Sequence, residues 1–133
     1  MVPHTTVILS HRSVNGIPFG ASVQAIHDRL GEPDKARENY TGELEMLYAT
    51  SIYRCYANRF VECTVPDAGR FQVDEVTILS IFDWLGAQPD SIDRARFRIS
   101  AGFGIAYDYR DPTNGSLTLF EKGRWDGLLA TGV

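Results

Sequence analysis

From Leu44 onward apolar residues recur at every second position, and that spacing constrains the fold more than any other feature of the chain. Leu44, Met46 and Tyr48 alternate with polar neighbours, as do Tyr53, Cys55 and Ala57, then Val61, Cys63 and Val65. Side chains two apart share one face of a strand, so this pattern predicts antiparallel strands with one face on a core. Pro66-Asp67-Ala68-Gly69 predicts a turn. Phe71 and Val73 then fall on one phase and Val76 and Ile78 on the other, which predicts a bulge or short break at Asp74-Glu75. Period two returns with Phe97 and Ile99, and with Phe103, Ile105, Tyr107 and Tyr109 on one face. Asp111 to Gly115 predicts a turn with Asn114-Gly115 its stronger half, Leu117 and Leu119 a return strand, and Trp125 to Leu129 a cap on the sheet after a turn at Lys122-Gly123-Arg124.

Ahead of the first strands the spacing is helical. After a turn at Asn15-Gly16, Ser22 is placed to cap a helix, and Val23, Ile26, His27 and Leu30 stand at i, i+3, i+4 and i+7. Gly31 supplies the positive φ that ends a helix and Pro33 cannot continue one. The ending Leu30-Gly31-Glu32-Pro33-Asp34 recurs with one inserted residue as Leu85-Gly86-Ala87-Gln88-Pro89-Asp90, and Ile78, Ile81, Phe82 and Leu85 repeat the spacing of the first helix. A duplicated half-domain produces this recurrence, and so does a common helix ending. The expected fold class is α+β: a curved antiparallel sheet of about six to eight strands with one or two short helices on one face, as two degenerate half-repeats if the duplication holds. With 133 residues and no linker or low-complexity tract, residues 1–133 are expected to form one domain.

Composition narrows the function classes. The formal net charge is −4 and only Lys35 and Lys122 are lysines, a poor basis for neutralising phosphates, so nucleic acid is not an expected partner. No apolar run nears the roughly 20 residues of a membrane helix, and the N-terminus lacks the pattern of a secretory signal, so the expected location is cytoplasmic. Cys55 and Cys63 are expected to face one another across a hairpin turning near Asn58, Arg59 and Phe60. A disulfide there is open, but two reduced, buried thiols fit the expected compartment.

Sites of chemistry are sparse. His4, His11 and His27 make no metal-type spacing with one another or with the cysteines, so no metal or other cofactor is expected. His4 and His11 are expected on the surface and His27 partly buried on its helix. Gly102-Phe103-Gly104 precedes a strand rather than a helix and is no nucleotide fingerprint. Glu43 and Glu45 share a face that is expected to be solvated. Arg94, Arg96 and Arg98 alternate and are expected to share one strand face. The tyrosines and tryptophans stand out instead, because such side chains offer rigid contact area with polar tips.

The segment Phe19-Gly20-x-Ser22, Ile26 and Leu30-Gly31-x-Pro33 resembles the helix-opening motif of small bacterial proteins related in fold to beta-lactamase inhibitor protein and to small outer-membrane assembly lipoproteins. Gly104 to Tyr109, followed by Leu117-Thr118-Leu119-Phe120-x-Lys122-Gly123-Arg124-Trp125, looks like the end of immunity proteins, which are encoded beside bacterial secreted toxins and block them. The resemblance implies helices packed on an antiparallel sheet with a face for protein contact, and brings no catalytic residue. The function expected is therefore non-enzymatic binding of a protein partner, a cognate toxin, through Tyr48, Tyr53, Tyr107, Tyr109 and Trp125, with Asp108 and Asp111 facing a basic cleft. The alternative is a small-ligand binder or enzyme with a pocket near His27 or the Arg94–Arg98 face. A homo-oligomeric module, a homodimer for instance, is a third class.

Overall fold

A computed structural model describes residues 5–111 and 114–130. The first half of the chain runs through β1 (Thr5–Leu9), β2 (Ser13–Val14), β3 (Ile17–Pro18) and helix α1 (Val23–Leu30) into β4 (Lys35–Glu38), β5 (Leu44–Tyr48), β6 (Ser51–Tyr56) and β7 (Arg59–Pro66). The second half repeats the scheme: β8 (Arg70–Val73), β9 (Val76–Ile78), helix α2 (Ile81–Gly86), then β10 (Ile92–Arg94), β11 (Phe97–Ser100), β12 (Ile105–Asp108) and β13 (Ser116–Phe120), closed by helix α3 (Asp126–Ala130). Each half is thus a small strand group, a short helix and a four-stranded meander. The meanders join edge to edge through β7 and β13 into an eight-stranded antiparallel sheet, ordered β10-β11-β12-β13-β7-β6-β5-β4.

The fold is α+β, as expected, but the strands form two sheets rather than one. A five-stranded sheet, β3-β2-β1-β8-β9, lies beside the large one, and its central pair β1 and β8 is parallel. Alternation splits the large sheet into two faces with separate cores. Ile105 and Tyr107 of β12, with Met46, Cys63 and Leu117, pack under Ile26 of α1 and Ile81 and Leu85 of α2. The residue between them, Ala106, points the other way and joins Ile99 and Phe120 under Trp125, Leu128 and Leu129 of the C-terminal segment. Helices therefore occupy both faces: α1 and α2 cover one, α3 part of the other.

The recurring Pro-Asp has a structural reason. Asp34 Oδ2 accepts a hydrogen bond from Ala49 N at 2.8 Å, in the turn between β5 and β6. Asp90 Oδ1 accepts from Ser100 Oγ at 2.8 Å and its Oδ2 from Gly102 N at 2.8 Å, at the turn between β11 and β12. In both halves the aspartate after the helix pins the turn joining the second and third strands of its own meander. Ser22 and Ser80 cap the two helices, accepting from Ala25 N and Asp83 N. The helical spacing of the second half stops short, because Ile78 ends β9 and lies outside α2. Hydrogen bonds to charged groups contribute about 1.5–3 kcal/mol. Asp90→Ala, which strands the fully buried Ser100 hydroxyl, is expected to cost more in urea unfolding than Asp34→Ala, whose partner is exposed.

Three hairpins turn on pairs of residues with positive φ: Asn15-Gly16, Ala57-Asn58 and Asp74-Glu75. At the last, where a bulge or a short break is expected, the strand breaks, and Val73 and Val76 pair directly across a two-residue turn. Cys55 and Cys63 do not face one another. A register shift between Arg54 and Cys55 sets Cys55 opposite Phe60 and Cys63 opposite Tyr53, and both thiols are free and buried. Pro112 and Thr113 of the expected turn fall outside the described residues; beside them Asn114 N donates to Asp111 O at 3.2 Å.

Candidate functional site: the charged face of the large sheet

Six of the seven residues expected to contact a partner divide between the two faces of the large sheet, and Asp111 lies beyond β12. Tyr53 is 3% exposed and Tyr107 8%, because the helix-side face needs their rings to fill its core. Tyr53 packs on Tyr48 and Phe60, with ring centroids 5.6 and 5.4 Å away. Tyr107 donates its hydroxyl to Asp67 Oδ2 at 2.6 Å, and burial followed by that bond raises its pKa. These two are interior residues and offer little surface. Tyr48 is half-buried and donates to Gly31 O at 2.9 Å; Tyr109 is half-buried against Phe82. On the opposite face Trp125 stacks on Phe120 and donates its indole N–H to Glu62 at 3.2 Å. Asp108 pairs with Arg96 at 2.9 Å, and Asp111 is exposed.

The other expected sites are also redistributed. Arg94 ends β10, Ala95 turns the chain with φ 53°, and Arg98 lies on β11, so the three arginines share no strand face. Arg96 is bound by Asp108, while Arg98 is bound by Asp93 at 3.2 Å and lies 4.1 Å from the Phe82 ring centroid. His11 is half-buried rather than on the surface, with Nε2 2.8 Å from Ala101 O in the other half of the chain. His27 is half-buried on α1, and His4 lies outside the described residues. Among the described residues no group of three or more His, Cys, Asp or Glu side chains is placed to hold a metal ion, and no helix is long and apolar enough to cross a membrane.

What the sequence reading missed is a ladder of alternating charge. On the face away from α1 and α2, Arg37 of β4 stands opposite Glu45 of β5, Glu45 opposite Arg54 of β6, and Arg54 opposite Glu62 of β7. The ion pairs follow this register: Arg37 to Glu45 at 2.9 Å, Arg54 to Glu45 at 2.8 Å and Arg54 to Glu62 at 3.2 Å. Arg54 also donates to Thr64 Oγ1 at 2.6 Å, which meets Thr118 Oγ1 at 2.9 Å on β13. Arg124, ahead of α3, binds Glu43 and reaches within 3.9 Å of Glu62. Glu43 and Glu45 are thus not solvated: their side chains are 11% and 12% exposed, and Glu62 is 13%. Each strand contributes its charge at the same phase, but the pairing follows only once the register is known.

Burial and charge compete at each carboxylate. At Glu43 burial pushes the pKa up, but hydrogen bonds from Asn39 and Arg124 outweigh it and hold the group below its ordinary value. Glu45 is lowered likewise, with Arg54 and Arg37 outweighing burial. At Glu62 burial prevails over Arg54 and Trp125, and the pKa is raised. A lowered carboxylate stabilises the fold above its unfolded pKa, and that contribution is lost as pH falls through the folded one. A raised one favours the fold below the unfolded value and loses that contribution as pH rises through the folded one. Acidification from neutrality therefore weakens the fold through Glu43 and Glu45, while Glu62 opposes the loss. Glu45→Gln is expected to flatten the acid fall of the unfolding free energy and Glu62→Gln to steepen it, read from urea midpoints between pH 7 and 3.

The face is open on one side only. Trp125 and α3 cover Ile92, Phe97 and Ile99 of the second half. Over β4 to β6 the surface stays accessible: the Arg37 side chain is 79% exposed, Tyr56 49%, and Tyr40 fully exposed. Lys35, Arg37, Glu45, Leu47 and Ile52 line a hollow of about 520 Å³ there, and the Arg124 guanidinium stands 5.6 Å from the centroid of the Tyr56 ring. Comparison of the chain with family models, curated proteins and solved structures yields no match.

Proposed function

We propose that the protein is a non-enzymatic binding protein of the immunity type, which docks a cognate bacterial toxin on the open half of the charged face, over β4 to β6. The observation that carries this is the pairing of accessible Arg37 and Tyr56 with a fixed ladder of ion pairs beneath them. Arginine and tyrosine are the side chains over-represented at binding hot spots, and a platform whose charges already hold one another has little freedom left to lose on association. The net charge of −4 suits a basic partner surface, and action on such a toxin places the protein in the cytoplasm. The matching order of strand group, helix and four-stranded meander in the two halves supports a duplicated half-domain, and the resemblance implies that the large sheet is curved.

Self-association through the β4 edge is disfavoured. Every face-matched antiparallel register of β4 with a second copy sets like charges opposite one another: Arg37 opposite Lys35 or its own copy, Lys35 opposite its own copy, or Glu38 opposite its own copy. The expected result with the product of an adjacent toxin gene is a complex that co-elutes at micromolar concentration. Two separate peaks with every adjacent toxin would defeat the proposal.

A further inference from the structure

The large sheet has a second concavity on its other face. Along β6, Ile52 and Arg54 turn to the charged face, while Ser51 and Tyr53 turn to the helix side. There the Asn15-Gly16 turn, the last turn of α1, the β5–β6 turn and the turn after β7 enclose a cleft of about 850 Å³. Small-molecule sites commonly span roughly 300–1,000 Å³, with mostly apolar walls and a few fixed polar groups. Val7, Leu30 and Val65 supply the walls, and Val7 is 38% exposed although it is an aliphatic strand residue. Asn15 is held from both ends: its Oδ1 accepts from Val7 N at 2.8 Å and its Nδ2 donates to the Tyr53 hydroxyl at 3.3 Å.

Arg29 stands at the mouth. Its guanidinium lies on the Asn15-Gly16 turn, where a Cβ at Gly16 would collide with Nη2; the bare glycine, at φ +82°, leaves the room it occupies. Arg37, Arg54, Arg59, Arg96, Arg98 and Arg124 each have a carboxylate within ion-pair distance. Among the described residues Arg29 has none, as holds also for Arg12, Arg70, Arg94 and Arg110, but of these it is Arg29 that lines the apolar cleft. Charge without a partner, apolar walls and an anchored amide converge on one kind of occupant.

We infer that this cleft binds a small organic anion with an apolar body, its acid group on Arg29 and its body over Val7, Leu30 and Val65. The site is on the opposite face from the proposed toxin-docking surface and stands or falls separately from it. The probe is 8-anilinonaphthalene-1-sulfonate, followed by fluorescence, with decanoate and decanol as competitors. The expected result is saturable binding of one molecule per chain, displaced by decanoate about tenfold more effectively than by decanol. Arg29→Gln, which breaks no ion pair, is expected to weaken binding about tenfold, and Thr50→Trp, on an exposed turn at the cleft, to block it. Arg37→Gln, on the other face, leaves it unchanged. Absence of saturable binding, equal competition by decanol, an unaltered affinity in Arg29→Gln, or an equal loss in Arg37→Gln overturns the inference.

Discussion

Arg54→Ala is expected to remove about 3–5 kcal/mol of unfolding free energy, the cost of breaking a buried ion pair from one side. Arg54 is the hinge of the charge ladder, binding Glu45 and Glu62 at once, and its side chain is 16% exposed. Removing it leaves two largely buried carboxylates facing one another across a strand, and leaves the Thr64 and Thr118 hydroxyls only each other. The loss comes from carboxylates left short of charge rather than from the net worth of the pair, since Glu45 keeps only the exposed Arg37 and Glu62 only the Trp125 indole N–H and Arg124 at 3.9 Å, so neutralising them should restore it. The triple variant Arg54→Met, Glu45→Gln, Glu62→Gln is expected to recover most of the stability lost in Arg54→Ala. Urea unfolding at pH 7 of both variants checks this; a single-site loss under 1 kcal/mol would mean that water reaches these carboxylates freely.

Gly104→Ala is the second large effect. Gly104 holds φ +69° in the turn between β11 and β12, and a Cβ there would lie 2.9 Å from the Phe120 carbonyl oxygen and 2.9 Å from the His11 ring. The backbone contact cannot swing aside, because Phe120 N is bonded to Gly104 O at 3.0 Å and Gly104 N to Ser100 O at 2.9 Å. The left-handed conformation costs a side-chain-bearing residue about 1–2 kcal/mol, and overpacking adds about 1–3 kcal/mol, so a loss of about 2–5 kcal/mol is expected. Gly42→Ala separates the two contributions. Gly42 has φ +85°, and a Cβ there would meet only Tyr56 Cε1 at an ordinary 3.7 Å, so its substitution should show the backbone cost alone. Equal losses at the two positions in denaturant titrations would contradict the packing at Gly104.

The helices and most strands of the large sheet follow from local rules. Ser22, Ile26, Gly31 and Pro33 state a helix and its end, and Ile105 and Tyr107 face one core as their spacing predicts. What local rules could not supply was register and sheet membership. β2 and β3 are two residues each, too short for any period, and β1 meets β8 in parallel across more than sixty residues of chain. The arginine triplet misled because Ala95 turns the chain at positive φ without the glycine or asparagine that usually marks such a turn. Glu43 and Glu45 were placed on one face, but their burial depends on Arg54 and Arg124, which stand on another strand and beyond the last one. Tyr53 and Tyr107 read as contact area because composition cannot separate a tyrosine whose hydroxyl meets solvent from one whose hydroxyl meets Asn15 or Asp67.

If contact on the open half of the charged face is what this chain does, the decisive quantity is the affinity for the adjacent toxin of the native protein beside the double variant Arg37→Glu, Tyr56→Ala. Both side chains are accessible, so the fold should survive their loss. Calorimetric titration is expected to show a tight complex for the native chain and an affinity lower by about a hundredfold, or ~2.7 kcal/mol, for the variant. An affinity left unchanged by the double substitution would place the partner elsewhere and contradict the account.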